Sequence, residues 1–455
     1  MTGGRLQHLG LAGIVLFLGW HVINARAEDH TMTLQEVIAR MNPYVGVHRE
    51  GVNTTTLKGK VMCGYQGWFA AQGDGSGRGW VHYGAGPNML SPGHCTFDLW
   101  PDMSEMDSDE RYATAFKHKD GSTAYLFSPY NGKTVLRHFR WMRDHGIDGI
   151  FLQRFGVSVK TAESLNHGYV VAANVQAGAN TYGRTWALMY DLSGLQAGEI
   201  GKYVIEDWKR LVGKMNITED KAYLHHNGKP VVAVWGIGFS DGRNYSLDEC
   251  RNLVEFLKND KEYGGNTVMV GVPTYWRTMT RDAVNDKALH DIILQADIVS
   301  PWTVGRYNSP GSAEEHADKC MRPDIAWAKT NHLEYLPVIF PGFSWQNLMN
   351  ARGKQANLDE IPRRKGQFFW SQAVAARKAG ADMLYVAMFD EIDEGTAIFK
   401  CTDDPPVGAS RFLTCEGLAS DHYLWLVGHA ARLLRNEIPA TGHMPKRHVQ
   451  QPDSQ

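Results

Sequence analysis

The sequence has almost no net charge, few cysteines and, past its first residues, no long hydrophobic run. Lysine and arginine number 47 against 49 aspartate and glutamate, a formal net charge of −2. A chain so balanced has no basic field to attract nucleic acid, and no nucleic-acid partner is expected. The six cysteines, Cys63, Cys95, Cys250, Cys320, Cys401 and Cys415, include no C-x-x-C spacing. Zinc-ribbon and dithiol redox motifs are therefore unsupported. No G-x-G-x-x-G follows a strand and opens a helix, so the fingerprint of a dinucleotide fold is missing. The glycine-rich stretch at 73–80 (GDGSGRGW) lacks the Lys-Ser/Thr end of a phosphate loop and reads as a flexible loop. Nothing in these patterns asks for a cofactor or a metal.

The one long apolar run, Leu9–Ile23, follows Arg5 and precedes Ala25-Arg26-Ala27. That order of positive flank, apolar centre and small-x-small site is the pattern of a secretory signal. The run is shorter than the roughly 20 residues a membrane span needs. Residues 1–27 are thus expected to be cleaved, leaving a secreted or periplasmic chain that begins at Glu28. A type II membrane anchor is the alternative. An exported chain permits disulfides, and Cys401 and Cys415, which flank a proline-rich loop, form the expected bridge.

Hydrophobic residues make up 43% of the 455-residue chain and charged residues 21%, enough apolar material for a large core. After a lead-in over 28–60, with a short helix around Leu34–Met41, apolar runs alternate with helical stretches. The strands are expected at Val61–Phe69, Ile147–Phe155, Thr185–Asp191, Pro230–Ile237, Thr267–Trp276, Asp297–Val304, Tyr335–Phe343 and Met383–Glu391. Helical spacing is clearest over Val135–His145, Ile200–Met215, Leu247–Leu257, Gly366–Lys378 and Tyr423–Leu434. Eight such units over 61–435 predict a (β/α)8 TIM barrel, with a long insertion after the first strand. The tail, 436–455, is polar with proline and histidine and is expected to be disordered.

In a parallel barrel the C-terminal strand ends converge on one pocket. The predicted ends supply Tyr65, Gln66 and Trp68 from strand one, Gln153 and Arg154 from strand two, and Asp191 from strand three. Trp235 ends strand four, Tyr275 and Trp276 strand five, Trp302 and Arg306 strand six, and Trp345 strand seven. Strand eight runs into Glu391, with Glu394 just beyond. Aromatic walls, polar groups between them and acids at one point suit a carbohydrate, whose rings offer C–H faces and whose hydroxyls need hydrogen-bond partners. Each residue also has a structural alternative: Trp235 and Trp302 as barrel filler, Arg154 as the partner of an acid, Asp191 as a helix cap.

The acidic end, Asp390-Glu391-Ile392-Asp393-Glu394, holds four carboxylates in five positions. Glycoside cleavage needs one carboxylic acid to protonate the leaving oxygen and one carboxylate to assist at the sugar carbon. Close like charges and unequal burial hold two such groups in different protonation states. Glu391 closes the strand, and Gly395 turns the loop so that Glu394 reaches the same sugar. Asp390 alternates to the other face and supports packing or a loop, while Asp393 is free to take either part. A cation site made of all four acids, and a glycan-binding protein without turnover, are the competing readings.

Glu391-Ile392-Asp393-Glu394-Gly395-Thr396 resembles the E-x-x-E-G-T signature of glycoside hydrolase family 99, the endo-α-mannosidases and endo-α-mannanases. Val61–Trp68 (VMCGYQGW), Phe97–Met103 (FDLWPDM) and Gly149–Phe155 (GIFLQRF) are similar to segments of the bacterial family 71/99-like hydrolases. The resemblance implies an endo-acting, retaining hydrolase of α-linked oligo- or polysaccharides that needs no metal for its chemistry, and a monomer is expected. It implies Glu391 as the base that deprotonates the substrate 2-hydroxyl, giving a 1,2-anhydro sugar, and Glu394 as the acid and then the base. The chain departs from the family at Ile392, where an aromatic is expected, and at Asp393, which adds a charge beside the pair. Both departures leave the sugar and linkage open.

Overall fold

The structure, a computed structural model, describes residues 32–447. The expected signal segment lies outside the described residues, as do positions 448–455. Among the described residues no helix is long and apolar enough to cross a membrane.

Eight parallel strands form the barrel: β1 Val61–Tyr65, β2 Gly149–Phe155, β3 Thr185–Asp191, β4 Lys229–Trp235, β5 Thr267–Pro273, β6 Ile298–Trp302, β7 in two pieces, Glu334–Tyr335 and Val338–Ile339, and β8 Leu384–Val386. Each pairs in parallel with its neighbours, and β1 pairs with both β2 and β8. The ring closes through the broken β7. Its first piece pairs with β6 and its second with β8. Between them the Leu336 amide donates to Val299 O at 3.0 Å and the Tyr385 amide to Pro337 O at 3.0 Å. Pro337 has no N–H for the ladder, which is why the single run expected over Tyr335–Phe343 splits there. Every residue of β3 and β5 is buried, because one face fills the barrel and the other lies under helices.

The helices take the expected places with shifted ends. Gly132–His145 is capped by Asn131, whose side chain accepts from the Lys133 amide, and Gly146 ends it in the left-handed region. The stretch from Ile200 opens as a π-helical segment, Ile200–Ile205, before becoming α-helical over Glu206–Met215. Pro323 sits where a π-helical segment, Ala317–Met321, passes into Arg322–Thr330.

Three expectations need correction. The glycine-rich stretch is tied down rather than loose: Asp74 accepts from the Ala71 and Ser76 amides at 3.0 and 2.7 Å and from Ser128 Oγ at 2.7 Å. The insertion also buries Tyr83, Phe97, Trp100, Phe116 and Phe127. It carries an antiparallel hairpin, Tyr112–Lys117 with Thr123–Leu126, that had no clear signal in the sequence. The described part of the tail packs on the barrel. Trp370 Nε1 donates to Thr441 O at 3.1 Å, and Arg447 meets Asp421 at 2.6 and 2.8 Å. All six cysteines are free thiols, and in place of a bridge Cys415 Sγ donates to Cys401 O at 2.9 Å.

Candidate active site

Beyond Val386 the eighth strand leaves the ladder and folds into a tight acidic loop. Asp390 turns away from the opening, toward the end of β1. Its two oxygens accept from the Gln66 and Gly67 amides at 2.7 and 2.9 Å, tying the end of β8 to the end of β1. Gly395 has φ +64°, and a Cβ there would lie 2.8 Å from Ser344 N. Glycine is therefore needed on both steric and conformational grounds. The Ser344 amide donates to Glu394 O at 2.9 Å and the Asp98 amide to Ile392 O at 3.2 Å. Arg363 Nη2 donates to Gly395 O at 2.8 Å and to Ala397 O at 2.6 Å. Asp98, from the FDLWPDM segment, is fully buried and accepts from Ser344 Oγ at 2.6 Å and from the Gln346 and Asn347 amides at 2.7 and 2.9 Å. The acid loop is thus held from three sides before any ligand arrives.

Glu391 and Glu394 differ in partners. Glu391 accepts from Gln66 Nε2 at 2.6 Å on one oxygen and from Thr396 Oγ1 at 2.7 Å on the other. Among the described residues no side chain or amide donates a hydrogen bond to the Glu394 carboxylate, and Arg352 is the cation that acts on it. Burial, then the charges of Glu394 and Asp393, hold the Glu391 carboxyl well above the usual range, against the two hydrogen bonds. Burial and then Asp393 push Glu394 up to about 7. Asp390 is also pushed up to about 7, chiefly by burial, although the Gly67 and Gln66 amides favour its anion.

These shifts have a sign that can be measured. A carboxyl raised from about 4 in the unfolded chain to about 7 in the fold makes the native state bind more protons between those limits. Stability therefore falls as pH rises through that window, and the loss is complete above it. Glu394→Gln, neutral throughout, is expected to raise the unfolding midpoint by a few degrees (order of magnitude from) near pH 8 and to leave it unchanged near pH 4, read by scanning calorimetry. A midpoint lowered near pH 8 would mean that Glu394 is stabilised as an anion.

Two cavities open at the strand ends. The smaller, about 670 Å³, is lined by Gln66, Trp68, His82, Gln153, Asp191, Arg352, Glu391 and Asp393 among others. The larger, about 1220 Å³, is lined by Tyr275, Arg277, Arg281, Arg306, Phe343 and Trp345 among others. Trp235, Trp302 and Glu394 line both, and the two indole systems meet edge to face at 5.6 Å. Glu394 therefore stands where the two spaces join. Gln153 Nε2 donates to Tyr385 Oη at 2.9 Å, which fixes the amide at the floor. Asp191 accepts from the Ser193 amide at 2.7 Å, and burial pushes its carboxyl up to about 6.

Of the residues expected at the opening, Tyr65, Arg154 and Trp276 point elsewhere. Tyr65 is fully buried, with its hydroxyl 2.9 Å from His138 Nδ1. Arg154 alternates outward from Gln153 and pairs with the buried Asp207 at 2.5 and 2.7 Å. Trp276 is fully buried edge to face with Trp327 at 4.9 Å. Within the larger cavity Arg306 is paired with Asp282 at 2.9 Å, while Tyr275 lies under the Arg281 guanidinium at 4.4 Å. Sequence reasoning missed His82 and Arg352. His82 comes from the insertion, whose path no periodicity reveals, and Arg352 follows the short helix Gln346–Ala351. Nor do the four acids converge as a cation site. Among the described residues the group of three acids close enough to share an ion is Asp107, Asp109 and Glu110, which already pairs with Lys133 and Arg137.

No family model matches this chain, and no curated protein matches it. Solved structures do. The family 99 endo-α-mannosidase from Bacteroides thetaiotaomicron superposes with a TM-score of 0.57 at 15% identity, over 84% of this chain and 99% of that one. A second structure of a family 99 endo-α-mannosidase, in complex with bis-tris propane, gives 0.58 at the same identity and coverage. A glycoside hydrolase-like protein gives 0.52 at 13% identity, over 88% of this chain and 99% of that one. The likeness is one of fold: this barrel is built like those of glycoside hydrolases, as the resemblance in the acidic loop implies.

Proposed function

We propose that the protein is a retaining, endo-acting hydrolase of α-linked glycans, with Glu391 and Glu394 as its acid–base pair. The observation that carries this reading is the contrast within the pair. Glu391 is held through both oxygens by donors, while the half-buried Glu394 carboxylate, at the junction of two cavities, has no hydrogen-bond partner among the described residues. Four residues lining the smaller cavity also keep a buried polar atom without a partner: Gln66 Oε1, Trp68 Nε1, Trp235 Nε1 and Asp393 Oδ1. Two donors and two acceptors left open among aromatic walls suit a ligand made of hydroxyls and C–H faces.

The chemistry follows the family resemblance. Glu391 takes the proton of the sugar 2-hydroxyl while that oxygen attacks C1. The bond from C1 to the leaving oxygen breaks, and Glu394 gives that oxygen its proton. Water, deprotonated by Glu394, then opens the 1,2-anhydro ring at C1, and Glu391 returns the proton to O2. Two inversions at C1 give retention. The continuity of the two cavities past Glu394 supports endo action, because a chain can run to either side of the cleaved bond. The leader over 1–27 supports export, so the form to assay begins at Glu28.

The test is a screen of that form against α-mannans, α-glucans and plant cell-wall polysaccharides, with products followed by proton NMR. The α-anomer is expected to appear first, before mutarotation. First release of the β-anomer, or no reducing end from any of these polymers, would remove the reading.

A further inference from the structure

Asp393 is the acid in the loop that the two-carboxylate reading leaves without a task. It is 4% exposed. Its Oδ2 lies 3.3 Å from His82 Nδ1, and its Oδ1 has no partner although buried. It lines the smaller cavity beside Glu391 and Glu394. A third carboxylate in this position works against the site, because its charge raises Glu391, Glu394 and Asp390 together. A buried carboxylate oxygen without a donor costs free energy of its own. Both penalties call for a donor that arrives from the cavity.

His82 is built to aim this group. Its backbone takes φ +61°, a region uncommon for any residue but glycine, and several contacts hold it there. The imidazole stacks on Trp68 at 3.9 Å with planes 3° apart. The His82 carbonyl accepts from Thr96 Oγ1 at 2.9 Å. Trp68 and His82 thus stand as a stacked pair in the lining of the smaller cavity, with Asp393 against the imidazole.

We infer that Asp393, oriented by His82, accepts a hydrogen bond from one hydroxyl of the sugar bound in the smaller cavity, and so determines which sugar is taken there. The inference rests on the glycan-hydrolase reading and gives it a specificity. His82 is a positioning residue that acts through Asp393. A hydroxyl-to-carboxylate bond in a closed site is a strong one, and a site built for a hydroxyl discriminates against the analogue that lacks it.

The experiment measures binding by calorimetry in the Glu394→Gln background, which stops turnover. The probes are the methyl α-disaccharides of mannose, glucose and galactose and the monodeoxy analogues of each. For the disaccharide that binds best, one deoxy position is expected to weaken the parent roughly ten- to hundredfold. The same analogue should bind Asp393→Ala no more weakly than the intact disaccharide does. His82→Phe keeps the stack and loses the donor, and it should behave like Asp393→Ala. His82→Asn keeps a donor at the Nδ1 position and tolerates the left-handed backbone, and it should restore the parent's selectivity. A purely structural role for His82 would not sort these two variants by hydroxyl. Asp393→Asn, of the same shape, serves if the alanine variant fails to fold, and should reduce the same penalty. Equal deoxy penalties in the parent and in the Asp393 variants overturn this inference and leave the hydrolase reading standing. Failure of every disaccharide to bind the parent removes both.

Discussion

Glu394→Gln is expected to lower kcat/KM on an unactivated α-glycan by about 10²- to 10⁴-fold, the usual worth of a positioned general acid. The reason is local. The Glu394 carboxyl, like that of Glu391, is raised, here to about 7, so that part of the population holds a proton there in neutral solution. Glu394 also stands at the junction of the two cavities, where the proposed mechanism puts the bond to be cleaved. The deficit should shrink on aryl glycosides with acidic leaving groups, which depart without protonation. Glu391→Gln should cost as much and show no such recovery, because its task concerns the sugar 2-hydroxyl rather than the leaving group. Steady-state kinetics of both variants on polymer and aryl substrates separate the two roles. Unfolding is not a route to the same result, since Glu394→Gln removes a strained ionisation and should be at least as stable as the parent near neutral pH. Parent-level rates in both variants would sink the assignment.

Asp207→Ala should be the most damaging change away from the opening, at roughly 3–5 kcal/mol. Arg154 and Asp207 are both buried, and they form two parallel hydrogen bonds at 2.5 and 2.7 Å. Tyr190 Oη adds a third to the same carboxylate at 2.8 Å. Removing the acid leaves a guanidinium inside the protein with no acceptor, and a phenol without its partner. Replacing both members of the pair, as in Arg154→Met with Asp207→Leu, should recover most of the loss, because the desolvation of two charges is then avoided. Urea unfolding of the single and double variants measures the difference. If Asp207→Ala stayed within about 0.5 kcal/mol of the parent, the size of a neutral surface change, the pair would not be a structural anchor and Arg154 would be available to a ligand.

The Arg154 case shows where reading from sequence alone reaches its limit. Gln153 and Arg154 are adjacent at the end of a predicted strand, and both were expected at the opening. Alternation sends neighbouring side chains to opposite faces, but which face is inward depends on register in the closed barrel. The ladder β1–β2–β3 sets that register, turning Gln153 in and Arg154 out. The same limit applies to Tyr65 beside Gln66, whereas Tyr275 and Trp276, expected as the end of a strand, lie in the turn after β5. His82 is a stronger case. It follows no strand and reaches the site only because the insertion folds back over the barrel, with Thr96 and Trp68 to hold it.

The alternation of apolar runs with helical stretches determined the parallel barrel, and the acidic end of the last run determined where the proposed chemistry is placed. Both are local patterns, written in the periods of strand and helix and in a cluster of charges five residues long. Which partners each carboxylate has was decided only by the tertiary structure. Asp390 is taken up by two amides of β1, Glu391 by Gln66 and Thr396, and Asp393 by a histidine 311 positions away. Glu394 alone of the four is left to the junction of the cavities. A carboxylate's role follows from burial and partners, and those partners come from parts of the chain brought together only when the barrel closes.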